Sequence, residues 1–363
     1  MQPYKHTHAR GCLAQGSSTA RPMVASTGDG DMAEPLVASS LPLETRFPPF
    51  HLRQHGGFWF PETLLPGIVA VRTRFAPRPS DVFLASFPKS GTTWLKALAF
   101  ATAHRADHPP HAPDHPLRHR NPHDCVEFLE VSYALDPTAD AFAALPSPRV
   151  IATHLPYPLL PERFTAEGAG CKVVYVCRDP KDAFVSAWLF ARKMAAAAAA
   201  GAANDDEPWP VPPKPFGMEE AFELFCDGRC PGGPQGPHVS SYWEASRRWP
   251  EKVLFLQYEE MLQDPVDNVR KLAEFMGCAF SMEEEAAGVA RDVVDLCSID
   301  ALKNVEANKR GSRKYVKNEA FFRKGVAGDW SNHMTPAMAA RLDGIVEDAL
   351  QGSGFAFAAA ESA

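Results

Sequence analysis

The stretch Phe83-Leu-Ala-Ser-Phe-Pro-Lys-Ser-Gly-Thr-Thr-Trp94 decides the reading of this chain. An apolar run of strand length, Asp81–Ser86, feeds a tight turn marked by Pro88 and Gly91, and Thr92–Ala103 is apolar and helix-permissive. A strand, a turn and a helix in that order present the first backbone N–H groups of the helix to an anion. Lys89 adds a point charge, Ser90, Thr92 and Thr93 add hydroxyls, and Trp94 offers a face for a purine. An ordinary loop with one surface lysine is the competing reading. It does not account for Lys, Ser, Gly, Thr and Thr in consecutive positions. Nor is the loop a Walker A motif, G-x-x-x-x-G-K-[ST]: Lys89 precedes Gly91, and no earlier glycine stands at the required spacing. The pattern points to a nucleotide phosphate and away from an ordinary ATP or GTP site.

Outward from this loop, Arg149–Thr153, Lys172–Cys177 and Val253–Gln257 are further β-branched runs of strand length. Helical stretches are expected over 181–194, 259–276, 283–293 and 336–350. Strands separated by helices predict an α/β domain, a central parallel sheet flanked by helices with a P-loop-like phosphate-binding loop. We assign that single domain to residues 46–355, with a disordered tail over 1–45 and a short C-terminal tail over 356–363. Two inserts read as mobile. Residues 104–123 carry six histidines, but five prolines in the same stretch forbid the helix that would align them, so the stretch reads as a solvated loop. Residues 195–215 hold an alanine run, an acidic patch and a proline cluster.

A net charge of −7 argues against a general nucleic-acid binder. Eight cysteines without a C-x-x-C pair fit neither a disulfide scaffold nor a common zinc site, and point to a reducing compartment. No apolar run is long enough to cross a membrane. Residues 1–28 hold basic and hydroxyl residues and no acid, a composition shared by transit peptides and disordered tails; we read a tail and a cytoplasmic protein.

Two more segments carry cations. Arg178-Asp-Pro-Lys-Asp-Ala-Phe-Val-Ser186 begins just past the third strand, at the edge where open α/β sheets bind ligands. Arg suits bidentate phosphate binding. Phe322-Arg-Lys-Gly-Val-Ala-Gly-Asp-Trp330 places Arg323 and Lys324 beside Gly325. Either segment alone is equally a solvated turn.

Together the three segments resemble the cytosolic sulfotransferases, the plant branch in particular. Phe87–Trp94 is similar to that family's 5′-phosphosulfate loop, Tyr175–Ser186 to its 3′-phosphate segment and Arg323–Trp330 to its C-terminal signature. Asn121-Pro-His-Asp124, Thr153-His-Leu-Pro-Tyr157, Tyr242-Trp-Glu-Ala-Ser246 and Tyr258-Glu-Glu-Met261 also resemble plant members, so the likeness runs over about 47–343. The resemblance implies 3′-phosphoadenylyl sulfate, PAPS, as co-substrate, no metal, and a small-molecule hydroxyl acceptor. It places Lys89, Ser90, Gly91, Thr92, Thr93 and Trp94 at the 5′ end and adenine. Arg178, Ser186, Arg323, Lys324 and Gly325 then meet the 3′-phosphate, and Tyr258 the adenine edge. His154 becomes the general base, since imidazole titrates near neutrality, and Lys89 the cation at the leaving group. Phe47, Phe50, Phe58, Trp59, Phe60 and Tyr157 are candidates for an aromatic acceptor pocket and equally for core. The competing functions are a P-loop kinase or NTPase, and a non-catalytic binder of PAPS or a hydrophobic hormone.

Two departures from animal members stand out. Ala152 occupies the position of a lysine two residues before the histidine. Ser331, Thr335-Pro336 and Ala340 replace the charged dimer motif after the Gly-Asp-Trp segment. A small isologous contact depends on each of its few groups, and Pro336 also lacks the N–H to donate across it. Light scattering at micromolar concentration is therefore expected to report the mass of one chain; a dimer through this segment refutes the reading.

Overall fold

The computed structural model describes residues 38–136, 142–166, 168–199, 216–313 and 316–358. Four strands, β4 (Val82–Ser86), β5 (Val150–Thr153), β6 (Lys172–Cys177) and β7 (Val253–Gln257), pair in parallel in the order β5-β4-β6-β7. Three of them are the β-branched runs of the sequence, and β4 is the strand before the phosphate loop. Every residue of β4 and β5 is buried, as expected of a sheet covered by helices on both faces. Ahead of it lies a small antiparallel sheet of β1 (Leu43–Glu44), β2 (Leu52–His55) and β3 (Phe58–Pro61). A third sheet is the two-stranded pair β8 (Ser312–Arg313) and β9 (Val316–Lys317).

The boundaries expected from sequence need correction at both ends. β1 starts the folded region before residue 46: the Arg53 guanidinium donates to Leu41 O at 2.9 Å, and Glu44 is buried against Arg46. Residues 1–37 lie outside the described residues. At the other end Phe355 is buried and packs on Trp243 and Phe255, each 5.2 Å away, and Ala358 N–H donates to Gln257 at 2.7 Å.

The histidine-rich insert is packed in part: His111 and His119 are exposed, whereas His115 and His123 are buried. His115 and Leu117 are fully buried, and His115 Nδ1 accepts from Leu117 N–H at 3.1 Å. Asn121 caps the turn Pro122–Cys125 by accepting from His123 N–H at 2.9 Å, and donates to the buried Asn308 at 2.7 Å. The prolines exclude a long helix but suit such short capped turns. In the second insert, residues 195–199 continue the helix Pro180–Ala199, and 200–215 lie outside the described residues. Two expected helices are each split: Asp264, followed by Pro265 as a first helical residue, separates Tyr258–Gln263 from Pro265–Met276, and Gly288 at φ 79° separates Met282–Ala287 from Val289–Leu296. Pro336–Leu350 stands as expected, with Pro336 at its first position.

The bases of β4 and β5 are locked by a buried ion pair. Arg149 Nε donates to Asp81 Oδ1 at 2.8 Å, and the same guanidinium donates to Ala76 O at 2.9 Å. Both side chains are essentially inaccessible to water. Removing one partner of such a pair leaves an uncompensated buried charge, at a cost of about 3–5 kcal/mol. Asp81→Ala is expected to lose that much in urea unfolding; a loss under ~1 kcal/mol would show that water or another group replaces the carboxylate.

Candidate active site

A cavity of about 1120 Å³ opens where the four parallel strands end, and Phe87, His154, Arg178 and Tyr258, all following strand ends, line it. The loop after β4 makes its floor. Lys89 has φ 68°, the one positive value at a non-glycine among the described residues, and Gly91 has φ 98°. Such a left-handed residue stores strain, about 1–3 kcal/mol, that collects at functional sites. Gly91 admits no side chain, because a Cβ there would lie 2.6 Å from the Tyr258 ring. The loop turns directly into the helix Thr92–Ala103, whose first-turn N–H groups have no intrahelical acceptor.

Cations converge above this helix end. Lys89 Nζ lies 3.8 Å from the Phe190 ring centroid. Burial, and then the like charges of Arg178, Arg323 and Lys193, push the Lys89 ammonium down to about 7. Arg178 stacks over Tyr258 at 4.6 Å and donates to Val326 O at 2.8 Å. Its Nε and the hydroxyl of Ser90 are buried with no hydrogen-bond partner. Ser186, on the helix Pro180–Ala199, lines the same side. Asp182 brings in the distant C-terminal segment: its carboxylate accepts from Gly328 N–H at 2.7 Å and Trp330 N–H at 3.0 Å. Arg323 and Gly325 reach the cavity. Lys324 does not line it; its ammonium donates to Asp329 at 2.6 Å. Burial raises the Asp329 carboxyl, but hydrogen bonds from Lys324, Arg323 and Asn332 outweigh that and hold it well below the usual carboxylate range. Trp94 and Tyr258 meet edge to face, with centroids 5.6 Å apart. Thr92 and Thr93 both line the cavity, and the Thr92 hydroxyl also lies 2.6 Å from Ser86 Oγ.

His154 follows β5 and is braced on three sides. Its backbone N–H donates to Glu130 Oε1 at 2.7 Å, its carbonyl accepts from His238 Nε2 at 3.2 Å, and its Nδ1 lies 2.8 Å from Ser86 O. A carbonyl only accepts, so Nδ1 carries the proton and Nε2 keeps its lone pair. Burial, reinforced by Lys96, His238 and Lys89, pushes this imidazole down to about 3, so it is neutral near pH 7. Glu130 also accepts from Thr153 Oγ1 at 2.8 Å. It lies in the first turn of the helix Leu129–Leu135, which Leu65–Arg74 crosses so closely that a Cβ on Gly67 would sit 2.0 Å from Glu130 O.

Beyond His154 the lining is apolar. Phe47, Phe50 and Phe60, all candidates from sequence, line it. Phe58, Trp59 and Tyr157 belong instead to the packing around it: Phe58 meets His238 edge on at 6.2 Å, Trp59 joins the buried core, and Tyr157 meets Tyr242 at 5.5 Å. Sequence reasoning missed Phe190 and Met194, on the inner face of a helix singled out only for its start, and His123, dismissed with its loop. The Asn-Pro-His-Asp piece was the available signal for His123.

Residues 79–354 match the family model described as the sulfotransferase domain. The chain belongs to the sulfotransferase family. It is 43% identical over 307 residues to cytosolic sulfotransferase 17 of Arabidopsis thaliana, with 83% of each chain covered. To cytosolic sulfotransferase 12 of the same plant it is 39% identical over 334 residues, covering 91% of this chain and 96% of that one. Among solved structures, an Arabidopsis thaliana sulphotransferase refined as an ensemble superposes with a TM-score of 0.68 at 35% identity, over 92% of this chain and 99% of that one. The mouse sulfotransferase SULT7A1 complexed with PAP gives 0.59 at 26% identity, over 84% and 95%. The single α/β domain with its four-stranded parallel sheet is the fold these sulfotransferases share with this one.

Proposed function

We propose that this sulfotransferase moves a sulfuryl group from PAPS to the hydroxyl of a small, uncharged aromatic or steroid-like acceptor, with His154 as general base. The observation that carries the donor is the pair of buried groups without a hydrogen-bond partner, Ser90 Oγ and Arg178 Nε, in a site where burial and then the like charges of Arg178, Arg323 and Lys193 depress Lys89. Buried polar atoms without partners and a gathering of cations fit a ligand with two separated anionic ends. The PAP complex of the mouse neighbour supports the same donor. Lys89, Ser90, Gly91, Thr92, Thr93 and Trp94 would hold its 5′ end and adenine, with Tyr258 at the ring. Arg178, Ser186, Arg323 and Gly325 would hold its 3′-phosphate. The acceptor class rests on the apolar end, where Phe47, Phe50, Phe60, Leu64 and Leu135 line the cavity around His154. The relatives' description as cytosolic supports a cytoplasmic enzyme, and the altered Ser331–Ala340 segment supports a single chain.

The donor supplies an activated sulfuryl group; catalysis of such in-line transfers is mostly positioning and charge stabilisation. In this chain Lys89 neutralises charge at the leaving phosphate. His154 Nε2 takes the acceptor proton, and the imidazole, uncharged in the free protein, becomes a better base once an anion lies beside it. Labelled PAPS with a panel of phenols and hydroxysteroids is expected to give labelled sulfate esters. Phosphate transfer from ATP instead would replace this reading with a kinase.

His154→Ala is expected to lower kcat by ~10²-fold or more, the scale of general-base contributions, with PAP affinity little changed. Near-normal turnover sinks the assignment. For Lys89, the depressed ammonium is mostly neutral in the free protein at pH 8, and an anion bound beside it restores the charge. Calorimetry of PAP at pH 8 in buffers of different ionisation enthalpy is expected to show uptake approaching one proton, on the order of the charge restored to one group, vanishing below about pH 6. Equal uptake in Lys89→Met would assign the proton elsewhere.

A further inference from the structure

Lys96 is a fully buried lysine, and it lies one helical turn beyond Thr93. Its Nζ stands 2.9 Å from Val126 O, 3.0 Å from His123 Nδ1 and 3.3 Å from the Phe128 ring centroid. An aromatic face and a carbonyl together favour the charged ammonium, which has donors and no acceptor. His123 Nδ1 must therefore accept. In a neutral imidazole the proton then sits on Nε2, and Nε2 lies 3.0 Å from Thr93 Oγ1. The hydroxyl oxygen accepts that bond, and its own O–H is left to donate into the cavity that Thr93 lines. His123 is fixed in this pose by its backbone N–H on Asn121 and by the rings of Phe128 and Phe321, at 5.5 and 4.3 Å.

We propose that Lys96, His123 and Thr93 form a polarised donor relay, in which a buried cation acts through an imidazole on the hydroxyl facing the reacting phosphosulfate. Each bond in such a chain strengthens the next in a low-dielectric surround. The relay adds positive potential where Ala152, two residues before His154, offers none. Thr93 touches the reacting group; Lys96 and His123 are positioning residues that act through it. The inference rests on PAPS as donor.

The test begins with the wild-type enzyme and PAPS. Lys96→Met, similar in length and uncharged, is expected to lower kcat roughly tenfold, less than the ~10²–10³ of deleting a transition-state donor outright, with little change in KM for PAPS. In a Thr93→Val background the same change should add almost nothing, because the path is already cut. A second readout uses no substrate: nitrogen-15 histidine spectra, with His123 assigned by loss in His123→Gln, should show the proton on Nε2 in the wild type. That preference should weaken in Lys96→Met. Fully multiplicative losses in the double variant, or the proton on Nδ1, overturn the relay. If Lys96→Met does not fold, His123→Phe keeps a ring in place but removes both the acceptor for Lys96 and the N–H toward Thr93, and a loss in kcat that disappears in the Thr93→Val background carries the same decision. If the wild type transfers nothing from PAPS, the donor assignment fails, while the spectra still decide whether the relay exists.

Discussion

Parallel pairing of β4 with both β5 and β6 is the constraint on which the site depends. Register sets Ala85 beside Thr153 and Tyr175, and Cys177 beside Gln257. The residues that follow these strands therefore emerge at one edge: the phosphate loop, His154, Arg178 and Tyr258. Open α/β sheets place ligands outside the carboxyl ends of their strands for this reason. The buried Arg149–Asp81 pair fastens the opposite end, so β4 and β5 cannot slide without breaking it.

Holding several cations together costs electrostatic repulsion, which the protein manages with carboxylates set behind them. Asp182 faces Arg178 and also grips the backbone of the C-terminal segment. Asp329 pairs with Arg323, Lys324 and His333. Lys89 lies outside these pairs. Its depressed ammonium marks the point where positive charge is uncompensated by the protein, and where an anionic ligand gains most.

A different economy governs the imidazoles. His154, His238 and His123 each have a tautomer dictated by a neighbour that can only accept or only donate: Ser86 O, His154 O and the Lys96 ammonium. His238 in turn accepts from Tyr175 OH at 2.9 Å, and Tyr175 stacks on Tyr242 at 4.1 Å. Aromatic packing thus positions the polar groups.

The chain's local chemistry was legible directly. Short β-branched runs, Gly91 and the Lys-Ser-Gly-Thr-Thr cluster depend on neighbours along the chain, so strand, turn and anion-binding helix end could be read from residues 81–103, and the parallel sheet from the alternation of elements. What the sequence could not resolve were contacts between distant segments. Whether a phenylalanine lines a cavity or fills the core depends on which helix lies opposite: Phe60 went one way and Phe58 the other, two residues apart. The histidines of 104–123 read as solvated because their prolines forbid a helix, yet His104, His108 and His115 gather on Phe100 and the Asn121 cap holds His123, without one. Lys96 looked like any helix lysine. Only the packing of His123 and Phe128 over it made it a buried cation, because desolvation is a property of what surrounds a side chain in space and not of its place in the chain.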